Sequence, residues 1–116
     1  MLRLVFASVL VLTVHQHAFA VGMTVQNYLE SKTKGGSWYG FSKPWLDGLY
    51  DGMLVSSALV MNETGKGTFC PPDNMVMATS QLEAIIDGHL KRNKITMNQP
   101  IAVLLINELI SMFPCR

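Results

Sequence analysis

Residues 79–115 read TSQLEAIIDGHLKRNKITMNQPIAVLLINELISMFPC, and this stretch decides the fold class. In its first half Leu82, Ile85, Ile86, His89 and Leu90 recur at i, i+3, i+4, i+7 and i+8, lining one side of an α-helix with side chains that favour burial. Thr79, or Ser80 with Glu83 three positions on, is placed to supply the N-cap oxygen. Lys91, Arg92 and Lys94 gather at the other end, where the helix dipole favours cations, so the cluster needs no binding role. His89 reads as a hydrogen-bonded residue at the edge of the core. In the second half Asn98 is expected to cap a helix with Pro100 in its first turn, and residues 101–113 hold ten apolar residues of thirteen. That density predicts a central helix buried nearly all round, yet it is far shorter than the roughly 20 apolar residues that span a membrane. Pro114 stops the helix.

Working upstream, residues 62–69 (NETGKGTF) have no period and contain two glycines, so they read as a loop leading to Cys70 and the stiff Pro71-Pro72 pair. Before it, Ser42 is expected to cap the longest helix, with Pro44 in the first turn and the apolar period continuing to Asn62. Trp45, Leu49, Met53 and Val60 follow one side of that helix, Leu46, Tyr50, Leu54 and Met61 another, and Asp47 with Asp51 form a narrow polar line. Gly48, Gly52 and Ser56 recur every four residues, a strip without bulky side chains. It is read as close helix packing within the core, with a subunit contact as the alternative. A short helix from Thr24 as cap to Lys34, with Val25, Tyr28 and Leu29 on its apolar side, ends at Gly35-Gly36. No sustained alternation of period two appears, so the expected fold is all-α, a small bundle of about four to five helices.

Composition narrows the classes. Of 116 residues 49% are hydrophobic and 15% charged, with a net charge of +1, which fits one domain and disfavours a nucleic-acid partner. Residues 1–20 read as a signal peptide: Arg3, an apolar run from Leu4 to about Val14, then Ala18-Phe19-Ala20 as a small-x-small cleavage pattern. Residues 21–116 are the expected mature domain, soluble and exported. It keeps eight residues of each charge and a single histidine, His89, too few for a multi-histidine metal site. Cys70 and Cys115 are an even pair in an oxidising compartment and read as a disulfide; the competing reading is a free, reactive thiol. No catalytic residue, metal or cofactor is assigned: H-E-x-x-H, G-x-S-x-G, a phosphate-cradling glycine loop and C-x-x-C are all missing from the sequence. Asp47 and Asp51, a carboxylate pair by spacing, read as a solvated stripe.

The segments Phe69-Cys70-Pro71-Pro72, Gln81-Leu82, Leu90, Asn98-Gln99-Pro100 and Phe113-Pro114-Cys115, with Tyr50-Asp51-Gly52 upstream, resemble the Rap/Tai-type immunity proteins of bacterial type VI secretion. The similarity covers about half of the mature chain and leaves residues 21–43 without a matching motif. It implies a small, exported, helical, disulfide-linked protein that binds and inhibits a peptidoglycan amidase effector. On that reading the candidate partner-binding loop comprises Asn62, Glu63, Thr64, Gly65, Lys66, Gly67 and Thr68, and the turn of residues 91–98 is a second candidate. A homodimer through Gly48, Gly52 and Ser56 is geometrically open. The alternatives are a small periplasmic holdase-type chaperone, using the seven methionines after residue 20 as adaptable surface, or a small-molecule carrier.

Overall fold

The computed structural model describes residues 22–116; the expected leader, residues 1–20, and its cleavage point lie outside the described residues. The order of elements is α1 (Val25–Lys34), α2 (Gly36–Thr64), α3 (Thr79–Arg92) and α4 (Ile101–Met112), with no strand among the described residues beyond an isolated bridge between Thr24 and Pro100. The fold is therefore an all-α bundle, and a disulfide joins Cys70 to Cys115.

α1 begins where the sequence places it. The Thr24 hydroxyl accepts the Asn27 N–H, and the Asn27 side-chain oxygen accepts the Thr24 N–H in return. Two further donors of its first turn are used between segments: the Val25 and Gln26 N–H groups donate to the carbonyls of Gln99 and Met97, at 2.9 and 3.0 Å. The Ile101 N–H donates to the Met23 carbonyl at 2.9 Å, so the start of α1 and the start of α4 satisfy each other's backbone.

α2 differs from expectation at both ends. It starts at Gly36, not after Ser42, because Gly35 and Gly36 take φ of +61° and +63° and turn the chain from α1 directly into the next helix. Ser42 is consequently interior. Its hydroxyl donates to the Tyr39 carbonyl instead of capping, and Pro44 sits inside the helix at the loss of one ladder bond. At the other end the helix runs on through Asn62, Glu63 and Thr64 and stops only at Gly65, whose φ of +78° lets its N–H bond the Met61 carbonyl.

The last two helices are shifted by small amounts. Ala78, not Thr79 or Ser80, is the N-cap of α3, and the Gln81 side-chain oxygen reaches back to accept the Ala78 N–H at 2.8 Å. Pro100, not Asn98, is the N-cap of α4, and the N–H of its first residue, Ile101, is taken by the Met23 carbonyl. α4 also is not buried all round. Ile101, Leu104, Leu105 and Leu109 enter the core, whereas Val103, Ile110 and Met112 are exposed. The core is completed by Val25 and Tyr28 of α1, Leu46 and Tyr50 of α2, Leu82 and Ile86 of α3, and Phe69 and Met77 of the segment linking α2 to α3. At its edge His89 donates from Nδ1 to Glu108, which also accepts from Arg92 at 3.2 Å, tying α3 to α4 as the edge reading of His89 requires.

Candidate functional site

The chain leaving α2 is held close to the helix it came from. Ser57, buried one residue beyond the exposed Ser56, accepts the Thr68 N–H at 2.9 Å and donates its hydroxyl to the Phe69 carbonyl at 2.9 Å. Gly67 makes this approach possible, since a Cβ there would lie 2.8 Å from Ser57 Oγ. Thr64 Oγ1 lies within 2.9 Å of the Val60 and Lys66 carbonyls, its one proton serving the two, which fastens the turn just past Gly65. Beyond it, Phe69 is buried and the Cys70 N–H donates to the Phe113 carbonyl at 2.8 Å, beside the disulfide. The candidate loop is thus half helix and half pinned return: Asn62, Glu63, Thr64, Gly65, Lys66 and Thr68 are exposed, while Gly67 is buried and serves the fold.

The strip of small residues has no neighbour of the kind close packing needs. Among the described residues nothing lies within 4 Å of a Cβ built on Gly48 or Gly52, so neither glycine admits another backbone of this chain. Instead Gly48, Gly52 and Ser56, with Leu49 and Met53, form one wall of an open groove of about 470 Å³ whose other wall is Ala102, Val103 and Ile106 of α4. Thr68 lines the same groove. The structure therefore brings together the two sets of residues that the sequence singled out separately, with Thr68 as their meeting point. At its other end the groove continues past Gly48, Leu49 and Ala102 to Trp45, Pro44 and Gly22.

Polar ties elsewhere are mainly structural. Tyr28 is fully buried and donates to Asp87 at 2.9 Å, and Lys32 bonds both. Burial, then the hydrogen bond to Asp87 and its negative charge, holds the Tyr28 hydroxyl far above the ordinary range, so it remains a neutral donor. Glu30, exposed, is pulled below the usual carboxylate range by its bond from Gln26 and then by Lys34. Among the described residues no three His, Cys, Asp or Glu side chains gather as metal ligands. The sequence pattern alone assigns no role to Ser57 or to the Tyr28–Asp87 pair. The signal for Ser57 was its spacing: with Leu46 and Tyr50 it shares one side of α2, and a polar residue on a buried side requires a partner.

No protein-family model, no curated protein and no solved structure matches the chain.

Proposed function

We propose that the protein is an exported immunity protein that binds and inhibits a peptidoglycan amidase effector of type VI secretion, protecting the producing cell and its kin. The residue pattern from Phe69 to Cys115 suggests the family. The structural observation that supports the reading best is the exposed, pinned turn at Glu63 and Lys66 meeting an apolar groove at Thr68. Binding an enzyme requires a surface that loses little conformational freedom on contact. Ser57, Gly65 and the disulfide have already fixed this turn, and the groove adds apolar area beside its charges. An inhibitor of this design covers the amidase without reacting with it.

Location is consistent with that role. A disulfide points to an oxidising, non-cytoplasmic compartment, and no described helix is long and apolar enough to cross a membrane. Periplasmic delivery by residues 1–20 belongs to the proposal.

The test is co-purification with, and inhibition of, any peptidoglycan amidase encoded beside this protein's gene. Wild type is expected to bind and silence it, and Glu63→Lys with Lys66→Glu to weaken binding by about 2–4 kcal/mol with unchanged helicity. Equal protection by wild type and the reversed variant overturns the role of the turn. Absence of binding by wild type overturns the immunity reading. A second reading, a carrier of small apolar ligands, is favoured by the groove alone, whose volume lies within the usual range for ligand pockets. Saturable uptake of a fluorescent fatty acid, with no amidase bound, would select it.

A further inference from the structure

The groove has α2 for one wall and α4 for the other, yet among the described residues no hydrogen bond or ion pair runs directly between these helices. Midway along, α4 is bonded to α3, through Glu108 with His89 and Arg92, and Leu104, Leu105 and Leu109 are buried in the shared core. Its position beside α2 is fixed at its two ends. At the start, the Ile101 N–H donates to the Met23 carbonyl and the Gln99 carbonyl accepts the Val25 N–H, each at 2.9 Å. That end of the groove is where Gly22 meets Trp45. At the finish, Cys115 is joined to Cys70, and the Cys70 N–H donates to the Phe113 carbonyl at 2.8 Å. Cys70 follows closely on Thr68, where the turn and the groove meet.

The two ends therefore respond differently to chemistry. Backbone hydrogen bonds hold the Trp45 end in any redox state, whereas the Thr68 end depends on a covalent link that a reductant opens. Ser57 does not replace that link: it belongs to α2, and its bonds to Thr68 and Phe69 hold the return segment to α2, not to α4. With two thiols in place of the bridge, the last turn of α4 keeps only the Cys70–Phe113 backbone bond and the partly buried Phe113 ring as its ties to that segment. One hydrogen bond, of modest net worth, does not stop a helix end from fraying.

We propose that oxidation of Cys70 and Cys115 is the step that assembles turn and groove into one binding surface, so that the chain becomes binding-competent only after meeting a disulfide oxidant. The thiolate of one cysteine attacks the oxidant's disulfide and expels one of its sulfurs; the thiolate of the other attacks the resulting mixed disulfide and expels the second. Two electrons and two protons thereby pass from Cys70 and Cys115 to the oxidant, which leaves as two thiols. In a reducing compartment the α4 wall is not fixed against the turn, and a partner has to supply the ordering itself, at a cost in affinity. The surface forms in this way whatever its partner; only its use against an amidase rests on the proposed function.

The experiment measures backbone order parameters by NMR for the disulfide-bonded protein and for the same protein in excess dithiothreitol. On reduction, values at Cys70, Met112 and Phe113 are expected to fall from about 0.85 to below about 0.6, while Val25, Gln26 and Ile101 stay near about 0.85. Resonances of Ser56, Thr68 and Ile106 should shift, and reoxidation with oxidised glutathione should restore them. Cys70→Ala with Cys115→Ala is expected to reproduce the reduced pattern without reductant. Unchanged order at Cys70 and Phe113 overturns the switch. Loss of order at both ends of the groove together overturns it as well, in favour of a bridge that only stabilises the whole fold. None of these readouts needs an amidase, so failure of the immunity reading leaves them intact. An amidase that binds the oxidised protein should bind the doubly substituted one about tenfold more weakly or worse, and equal binding overturns the proposal.

Discussion

On α2, the side carrying Leu46, Tyr50 and Ser57 is buried, whereas the side carrying Phe41, Val55 and Leu59 is no less apolar and stays 58–77% exposed. Apolar character therefore does not decide which side of this helix faces inward. Three features attach to the inner side and are missing from the outer one: the return of the chain onto Ser57, the disulfide just beyond it, and α3, whose Thr79 bonds Asp47 at its margin. α1, α3 and α4 cover only part of the circumference of a 29-residue helix, and long-range bonds select the part. What remains uncovered is surface that a binding protein can use.

The largest expected effect breaks the inner side at its anchor. Cys115→Ser releases a loop closed over 45 positions, and loop-closure entropy gives a loss of about 4 kcal/mol, measured by denaturant unfolding with and without reductant. An unchanged midpoint would mean that the return segment holds without its covalent link. Next, Leu46→Ala is expected to cost about 2–5 kcal/mol through lost burial and a cavity, while Leu59→Ala on the outer side stays within about 0.5 kcal/mol. Similar losses from both would show that the outer side is covered in solution, and sedimentation of the same samples would then reveal a second chain. The smallest effects are opposite in sign. Gly67→Ala forces a Cβ onto Ser57 Oγ and should destabilise by about 1–3 kcal/mol, whereas Gly52→Ala meets open space and should stabilise by about 0.5–1 kcal/mol through helix propensity.

The sequence reveals α1 and α3 well because each shows one apolar stripe: Thr24 and Gly35 bound the first as expected, and the second starts from Ala78, within two residues of the expected Thr79 or Ser80 cap. The disulfide is legible from a cysteine count alone. α2 is harder for two reasons. Ser42-Lys43-Pro44 is a helix-start pattern, but the same serine bonds the Tyr39 carbonyl equally well inside a helix, and the Gly35-Gly36 pair that ends α1 also starts α2 through its positive φ values. Its apolar rows lie on both sides, so period alone cannot choose the buried one. The same ambiguity makes α4 look buried all round when Val103, Ile110 and Met112 are exposed. In the candidate site, the exposed residues of the turn and the open strip are both visible as local patterns. Their meeting at Thr68 is not, because it depends on Ser57 and Gly67 drawing residues ten or more positions apart into contact.

The disulfide also fixes how the chain answers tension. Because the bridge joins Cys115 to Cys70, a pull applied between residues before α1 and residue 115 passes through the sulfur atoms to Cys70 and along α2, and the covalent line of force bypasses α3 and α4. Those two helices form a closed ring outside the covalent line of force while the bridge is intact. α1 and α2 would unravel first, together with the backbone bonds that join residues 23–26 to residues 97–101 outside the line of force. Reduction would add about 150 Å of extensible chain in one step, at roughly 3.3–3.6 Å per residue over the 45 positions enclosed.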